Sequence, residues 1–237
     1  MSAAATWAII PVKALAEAKQ RLAPVLPPPA RRQLVLAMLQ TVLAAVTEAK
    51  GIAATLVVTP DPDVAQLALG TGAQVLRERG ARGLNAAVRA GLARAAAEGA
   101  TRALVLPADV PLVTSGELSG LIGSAAAAGA PRATLVPAAD GEGTNAMLLD
   151  PPGALVPRFG PGSYLRHLAQ ALARRLDVEV VHLPGLAGDI DCPGDLDRLL
   201  VPAPQLAHFQ FLARHVMKAA PGETFPAEET ADEDCRG

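Results

Sequence analysis

Large rings are scarce in this chain. One Trp, one Tyr and four Phe make aromatics only 3% of its 237 residues, so the core must be built from Ala, Leu and Val. Cysteine is nearly missing too: Cys192 and Cys235 lie far apart in unlike contexts, one beside a proline in an Asp-rich stretch and one in a polar tail. No disulfide framework is expected from them, and a reducing compartment follows more easily. No apolar run approaches the ~20 residues of a membrane span. Residues 1–12 lack the cationic start, apolar segment and cleavage site of a secretion signal. The expected location is cytoplasmic, with no membrane partner.

A strong charge of one sign is also absent. The formal charge is −2, yet residues 223–237 hold six acids and one Arg, which leaves 20 basic and 17 acidic residues in the body. A mildly positive body suits small anionic ligands and gives no support to nucleic-acid binding. There is no GxSxG elbow and no Walker glycine-lysine loop, so hydrolase and P-loop readings lose their main support. His167, His182, His208 and His215 show no short ligand spacing, and the 208/215 step reads as packing or surface. No internal repeat is found.

What is present is an alternation. Short Val-, Leu- and Ile-rich runs at 7–12, 54–59, 73–78, 102–108, 133–138, 145–150 and 178–184 read as strands, several of them apolar on both faces. Alanine-rich segments at about 29–49, 62–70, 84–98, 114–128, 162–175 and 193–200 carry helical spacing. The expected fold class is α/β: one domain with a mostly parallel central sheet flanked by helices. That domain is expected to span 1–200. A helical extension would follow over 201–220, then an acidic tail over 221–237 without apolar periodicity, expected to be disordered.

In such sheets, ligands gather at the carboxyl ends of strands. After the first strand, IIPVKALAEAKQRLAP (9–24) breaks at Pro11 and places Lys13, Lys19 and Arg21 together. They could clamp a triphosphate or form a solvated helix face. In ALVLPADVPLV (103–113), Asp109 stands between Pro107 and Pro111, as a Mg²⁺ ligand or a turn aspartate. GDIDCPGDL (188–196) sets Asp189 and Asp191 two apart, on one side of an extended segment. Two like charges facing one way favour a shared cation. Asp195 fits the first turn of a helix.

Two glycine-rich turns look suited to an anion: GEGTNAMLL (141–149), with Thr144, and RFGPGSYLRHL (158–168), with Gly160, Gly162 and Ser163 before a helix. Simple capping by Ser163 is the alternative. Arg166 and His167 could face ligand or solvent. Asn85, just after Gly83 in RGLNAAVRAGL, could read a purine edge or cap a helix.

Taken in order over residues 7–200, IIPVKALAEAKQRLAP, VVTPDPDV, RGLNAAVRAG, LVLPADVPLV, DGEGTNAMLL, PRFGPGSYLRH and GLAGDIDCPGDL resemble the guanylyltransferases that prepare the phospho-acid moiety of the deazaflavin coenzyme F-420. The resemblance implies a single-domain, Rossmann-like nucleotidyltransferase fold of the glycosyltransferase-A type. It implies GTP and a three-carbon phospho-acid as substrates, phosphoenolpyruvate or 2-phospho-L-lactate, with Mg²⁺ as cofactor and pyrophosphate as by-product. The product would pass to a deazaflavin-coupling transferase. By position, Lys13, Lys19 and Arg21 match the basic phosphate loop. Asp109, Asp189 and Asp191 match the metal carboxylates, and Thr144, Gly160 and Ser163 match the acid site. Asn85 is carried as the nucleotide-side residue.

Two departures stand out. The family's GTGTN reads GEGTN here, so Glu142 adds a carboxylate beside an anion site and opens the door to 3-phospho-D-glycerate. The extension past 200 exceeds the core pattern and could cap the domain or mediate a homodimer. Competing readings are a nucleotidyltransferase acting on a sugar phosphate or the molybdenum cofactor, whose usual GxGxR loop is missing here, and a catalytically silent nucleotide-binding protein.

Overall fold

The structure, a computed structural model, describes residues 5–77, 83–124, 131–200 and 207–212. Seven strands form one sheet: β1 (Thr6–Pro11), β2 (Ile52–Thr59), β3 (Gln74–Arg77), β4 (Arg102–Val105), β5 (Arg132–Pro137), β6 (Thr144–Asp150) and β7 (Asp177–Val180). Their order is β3-β2-β1-β4-β6-β5-β7. All neighbours pair in parallel except β6, which runs antiparallel to both β4 and β5. Between the strands lie α1 (Pro28–Glu48), α2 (Pro62–Gly70), α3 (Leu84–Ala97), α4 (Ser115–Ser124) and α5 (Ser163–Ala173), and after β7 come α6 (Pro184–Ala187) and α7 (Pro193–Leu200). None of these helices is long and apolar enough to cross a membrane.

Alternation along the strands produces two cores. On β1, Ala8 and Ile10 face a cluster with Leu34, Met38, Val64 and Leu118 from α1, α2 and α4. Trp7 and Ile9 face the other side, with Val88, Leu92 and Ala171 from α3 and α5. Helices on both faces are what strands apolar on both sides require. Phe209 and Leu212 are buried in the first cluster, so the described part of the extension packs on the domain. The rest of the expected helix over 201–220, and the acidic tail, lie outside the described residues.

Two expectations meet different outcomes. Pro11 ends the strand as expected: it is the last residue of β1, where it still pairs with Val58. Val12 N–H donates to Val58 O at 2.9 Å, so even-numbered residues donate toward β2. The missing N–H of Pro11 therefore points toward β4, whose pairing with β1 has ended at Val105. Second, Cys192 is not the reduced thiol expected of it. No described cysteine is free and Cys192 is disulfide-bonded, while Cys235 lies outside the described residues.

The chain runs outward from β1 to β3 and returns to β4, making β1 and β4 the point where the winding reverses. A ligand crevice is expected there. Close packing beneath it depends on Gly91 of α3, where an added Cβ would stand 2.5 Å from Ile9 Cγ2 and 3.1 Å from Val58 Cγ2. Ile9 and Val58 are both fully buried and cannot swing away. Gly91→Ala is expected to lower stability by about 1–3 kcal/mol through overpacking, read as a reduced urea midpoint at unchanged slope. An unchanged midpoint would show that α3 can lift from the sheet without cost.

Candidate active site

The loop after β1 passes through two single 3-10 turns, Leu15–Glu17 and Gln20–Leu22. It is tethered by main chain: Leu15 N–H donates to Asp61 Oδ2 at 2.9 Å. Asp61 Oδ1 meanwhile caps α2 by accepting from Asp63 N at 2.9 Å. Beyond the tether, Lys19 adopts the left-handed conformation, φ 55° and ψ 41°, which costs a side-chain-bearing residue roughly 1 kcal/mol. That turn sends its ammonium inward. Lys19 Nζ lies 2.7 Å from Asp109 Oδ2 and 2.6 Å from Asp191 Oδ1, with only 7% of the side chain exposed.

Asp109 follows β4, and Asp191 precedes α7. Ile190 N–H donates to Asp109 O at 3.1 Å, which holds the two segments side by side. Asp195 Oδ2 accepts from Asp191 N and Cys192 N at 2.8 and 2.7 Å, the first-turn role expected of it. Asn145 at the head of β6 donates to Leu186 O at 2.8 Å and approaches Asp189 Oδ1 at 3.5 Å. Gly185 N donates to Glu117 Oε1 at 2.8 Å. These contacts from β6 and α4 fix the segment carrying Asp189 and Asp191.

The charges are unequal in their comfort. Burial opposes the Lys19 charge, but Asp109 and Asp191 outweigh it and hold the ammonium above the ordinary lysine range. Burial likewise opposes ionisation of Asp191, but Lys19 and then Arg21 outweigh it, and its carboxyl sits below the usual value. Asp189 has no such relief. Burial first, then the Asp109 and Asp191 charges, push its carboxyl up to about 6. The three aspartates read from the sequence are therefore within electrostatic reach of one another. No described group of three His, Cys, Asp or Glu side chains is gathered to hold a metal ion, and Lys19 stands between two of the candidates.

Lys13 and Arg21 are exposed on the same loop, so the three expected cations divide into one buried and two at the surface. The residues expected to bind the acid lie on two adjoining turns. Thr144 Oγ1 is 3.0 Å from His167 Nδ1 and 3.4 Å from Ser163 Oγ. Gly160 and Gly162 have φ of +118° and +65°, conformations that favour glycine. Tyr164 N–H donates to Glu142 O at 2.9 Å, joining the two glycine-rich turns. Ser163 does not cap its helix; Gly162 holds the N-cap position and no side chain bonds there.

Asn85 binds the loop before α5 through its amide. Nδ2 donates to Phe159 O at 3.1 Å and Oδ1 accepts from Phe159 N at 2.7 Å. It does not cap α3, where Gly83 is the N-cap. His167, left open by sequence, is buried, and Arg166 bonds back to Arg158 O at 3.2 Å. Asp61 and Asn145 were missed as site residues, although TPDPD and GEGTN both stood at strand ends.

The strain on Asp189 has a measurable sign. Its folded pKa of about 6 lies above the ordinary 3.8, so the native state of the metal-free protein loses stability as pH rises from about 4 to about 6. Asp189→Asn is expected to remove that part of the pH dependence and to raise Tm at pH 7 by about 2–4 °C per kcal/mol relieved. Melts of wild type and variant with the same slope across this window would refute it.

Known proteins resemble the chain at three levels. A curated phosphoenolpyruvate guanylyltransferase from Rubrobacter xylanophilus is 46% identical over 193 residues, covering 81% of this chain and 92% of the relative. A 2-phospho-L-lactate guanylyltransferase from Methanothermobacter thermautotrophicus is 35% identical, covering 83% and 84%. Among solved structures, a nucleotidyl transferase from the same organism aligns with a TM-score of 0.61 at 18% identity, over 88% of this chain and 99% of that one, a likeness of fold. The family model for the guanylyl transferase CofC like proteins matches residues 6–229, and this chain belongs to that family.

Proposed function

We propose that the protein is a guanylyltransferase that transfers GMP from GTP to the phosphate of a three-carbon phospho-acid, phosphoenolpyruvate first among them, in the assembly of coenzyme F-420. The observation that carries this reading is the buried Lys19 ammonium between Asp109 and Asp191, at the reversal point of a nucleotidyltransferase-type sheet. The names of both relatives support the same class of acid.

The chemistry asks little of a proton-transfer group. A phosphate oxygen of the acid attacks the α-phosphorus of GTP, the bond from that phosphorus to the bridging oxygen of the β-phosphate breaks, and pyrophosphate leaves with the bonding pair. The acid phosphate is already a nucleophile, so the protein's task is alignment and charge neutralisation. Lys13 and Arg21, exposed on the loop, serve the triphosphate; Lys19 supplies a buried positive charge at its inner end. Thr144, Gly160 and Ser163 form the acid side. Asn85 acts on the nucleotide side only by holding Phe159. The product, an acid activated as its guanosine diphosphate ester, suits a downstream coupling transferase.

Mg²⁺ is the proposed cofactor. Three carboxylates face one buried ammonium, and the residual negative charge falls on Asp189, whose carboxyl is pushed up to about 6. Hard oxygens with unmatched charge suit a divalent cation; Asp109, Asp189 and Asp191 are within electrostatic reach of one another but not gathered into a ligand set, so to hold it they would have to close around it. Such an ion would neutralise charge on the transferring and leaving phosphates.

The reading is tested by pyrophosphate release from GTP, ATP and CTP, each offered with phosphoenolpyruvate, 2-phospho-L-lactate and 3-phospho-D-glycerate. GTP with phosphoenolpyruvate is expected to lead, and silence in every combination would end the proposal. Asp109→Asn should lower turnover by about 10²-fold or more while melting near wild type. Lys13→Ala and Arg21→Ala should raise KM for GTP; if both leave it unchanged, they are a solvated surface only.

A further inference from the structure

His167 is fully buried on the inward face of α5 with Ser163 and Ala171, beside Thr144 of the proposed acid site. Both ring nitrogens are engaged. Nε2 is 2.9 Å from the main-chain N–H of Arg158. A peptide N–H can only donate, so Nε2 is the acceptor and carries no proton. The single proton of a neutral ring then sits on Nδ1 and is donated to Thr144 Oγ1, 3.0 Å away. Ser163 Oγ donates to the same oxygen at 3.4 Å. A hydroxyl oxygen accepts twice and donates once, so the capacity left to Thr144 is its own proton. Among the described residues the acceptor within reach of that proton is Ser163 Oγ, at a long 3.4 Å.

The surroundings keep the ring in this form. Burial first, then the charges of Arg166 and Arg158, push the imidazole down to about 4. Phe159 meets the ring edge-on, with centroids 5.1 Å apart, and Phe159 is itself held by Asn85.

We propose that His167 is a positioning residue of the acid site: by donating from Nδ1 it turns the Thr144 hydroxyl into a fixed outward donor for the carboxylate of the phospho-acid. This rests on the reading of Thr144 as part of that site. Through Nε2 the same ring also holds the loop over 158–162, and the two roles can be separated. An asparagine amide reaches the place of Nδ1, whereas a glutamine amide reaches the place of Nε2.

His167→Asn therefore keeps the donor to Thr144 and loses the Arg158 bond, while His167→Gln does the reverse. Steady-state kinetics should show KM for the acid rising about tenfold in His167→Gln, the scale of a lost hydrogen bond to an ionised group. KM for GTP should be unchanged, and His167→Asn should raise KM for the acid less than His167→Gln does. Adding Thr144→Val to His167→Gln should cost nothing further. The reverse order of the two variants, equal losses in both, or a matching rise in KM for GTP would overturn the inference.

If the variants fail to fold, nitrogen-15 NMR of the wild-type protein at pH 7 decides: the neutral Nδ1–H tautomer supports the proposal, and Nε2–H or a doubly protonated ring overturns it. Wild-type protein that turns over no phospho-acid would defeat the guanylyl-transfer reading on its own. The tautomer would then still test the His167–Thr144 arrangement.

Discussion

The carboxyl end of the sheet is organised around one buried ammonium. Lys19 joins Asp109, 90 residues away, and Asp191, 172 residues away, so a single side chain closes three separate loops onto one point. Burying such charges is costly, and the arrangement holds because each charge meets an opposite one at hydrogen-bond distance. Removing the ammonium would leave Asp109, Asp189 and Asp191 facing one another. The site is thus completed only when the last loop docks, and its geometry is a consequence of the whole fold.

The cluster of His167, Thr144 and Ser163 follows the opposite electrostatic logic. Its central groups are a neutral imidazole and two hydroxyls, all nearly excluded from water, and order comes from directional hydrogen bonds. Charge balance tolerates small displacements, whereas a chain of donors and acceptors does not. The two halves of this end of the sheet are thus built differently, one on charge and the other on hydrogen-bond direction. The link between Tyr164 N and Glu142 O, and the pairing of Asn85 with Phe159, keep the second half in register with the sheet.

Much of this was legible in the sequence because hydrophobic period and strand ends are local properties. The bounds of α2 and α7 were read correctly, and the end of β1 that leads into the Lys19 loop was placed within one residue. What escaped was everything decided by direction. The loop sequence offers Lys13, Lys19 and Arg21 as equals, and only the left-handed turn at Lys19 separates them. Asn85 could have capped α3, but Gly83 holds that position and a residue 74 positions away takes both ends of the amide. The reversed direction of β6 has no mark in its composition, since its residues are buried as thoroughly as those of a parallel strand.

The Asp61 carboxylate has a quieter effect. One oxygen serves the start of α2 and the other receives Leu15 N–H, a bond that involves no side chain of the basic loop. The start of the loop is anchored by its peptide backbone, and its exposed cations Lys13 and Arg21 are passengers on that anchor. Substitutions that alter the charge of Lys13 or Arg21 leave this attachment intact, so the surface charge of this edge can change while the path of the chain stays the same.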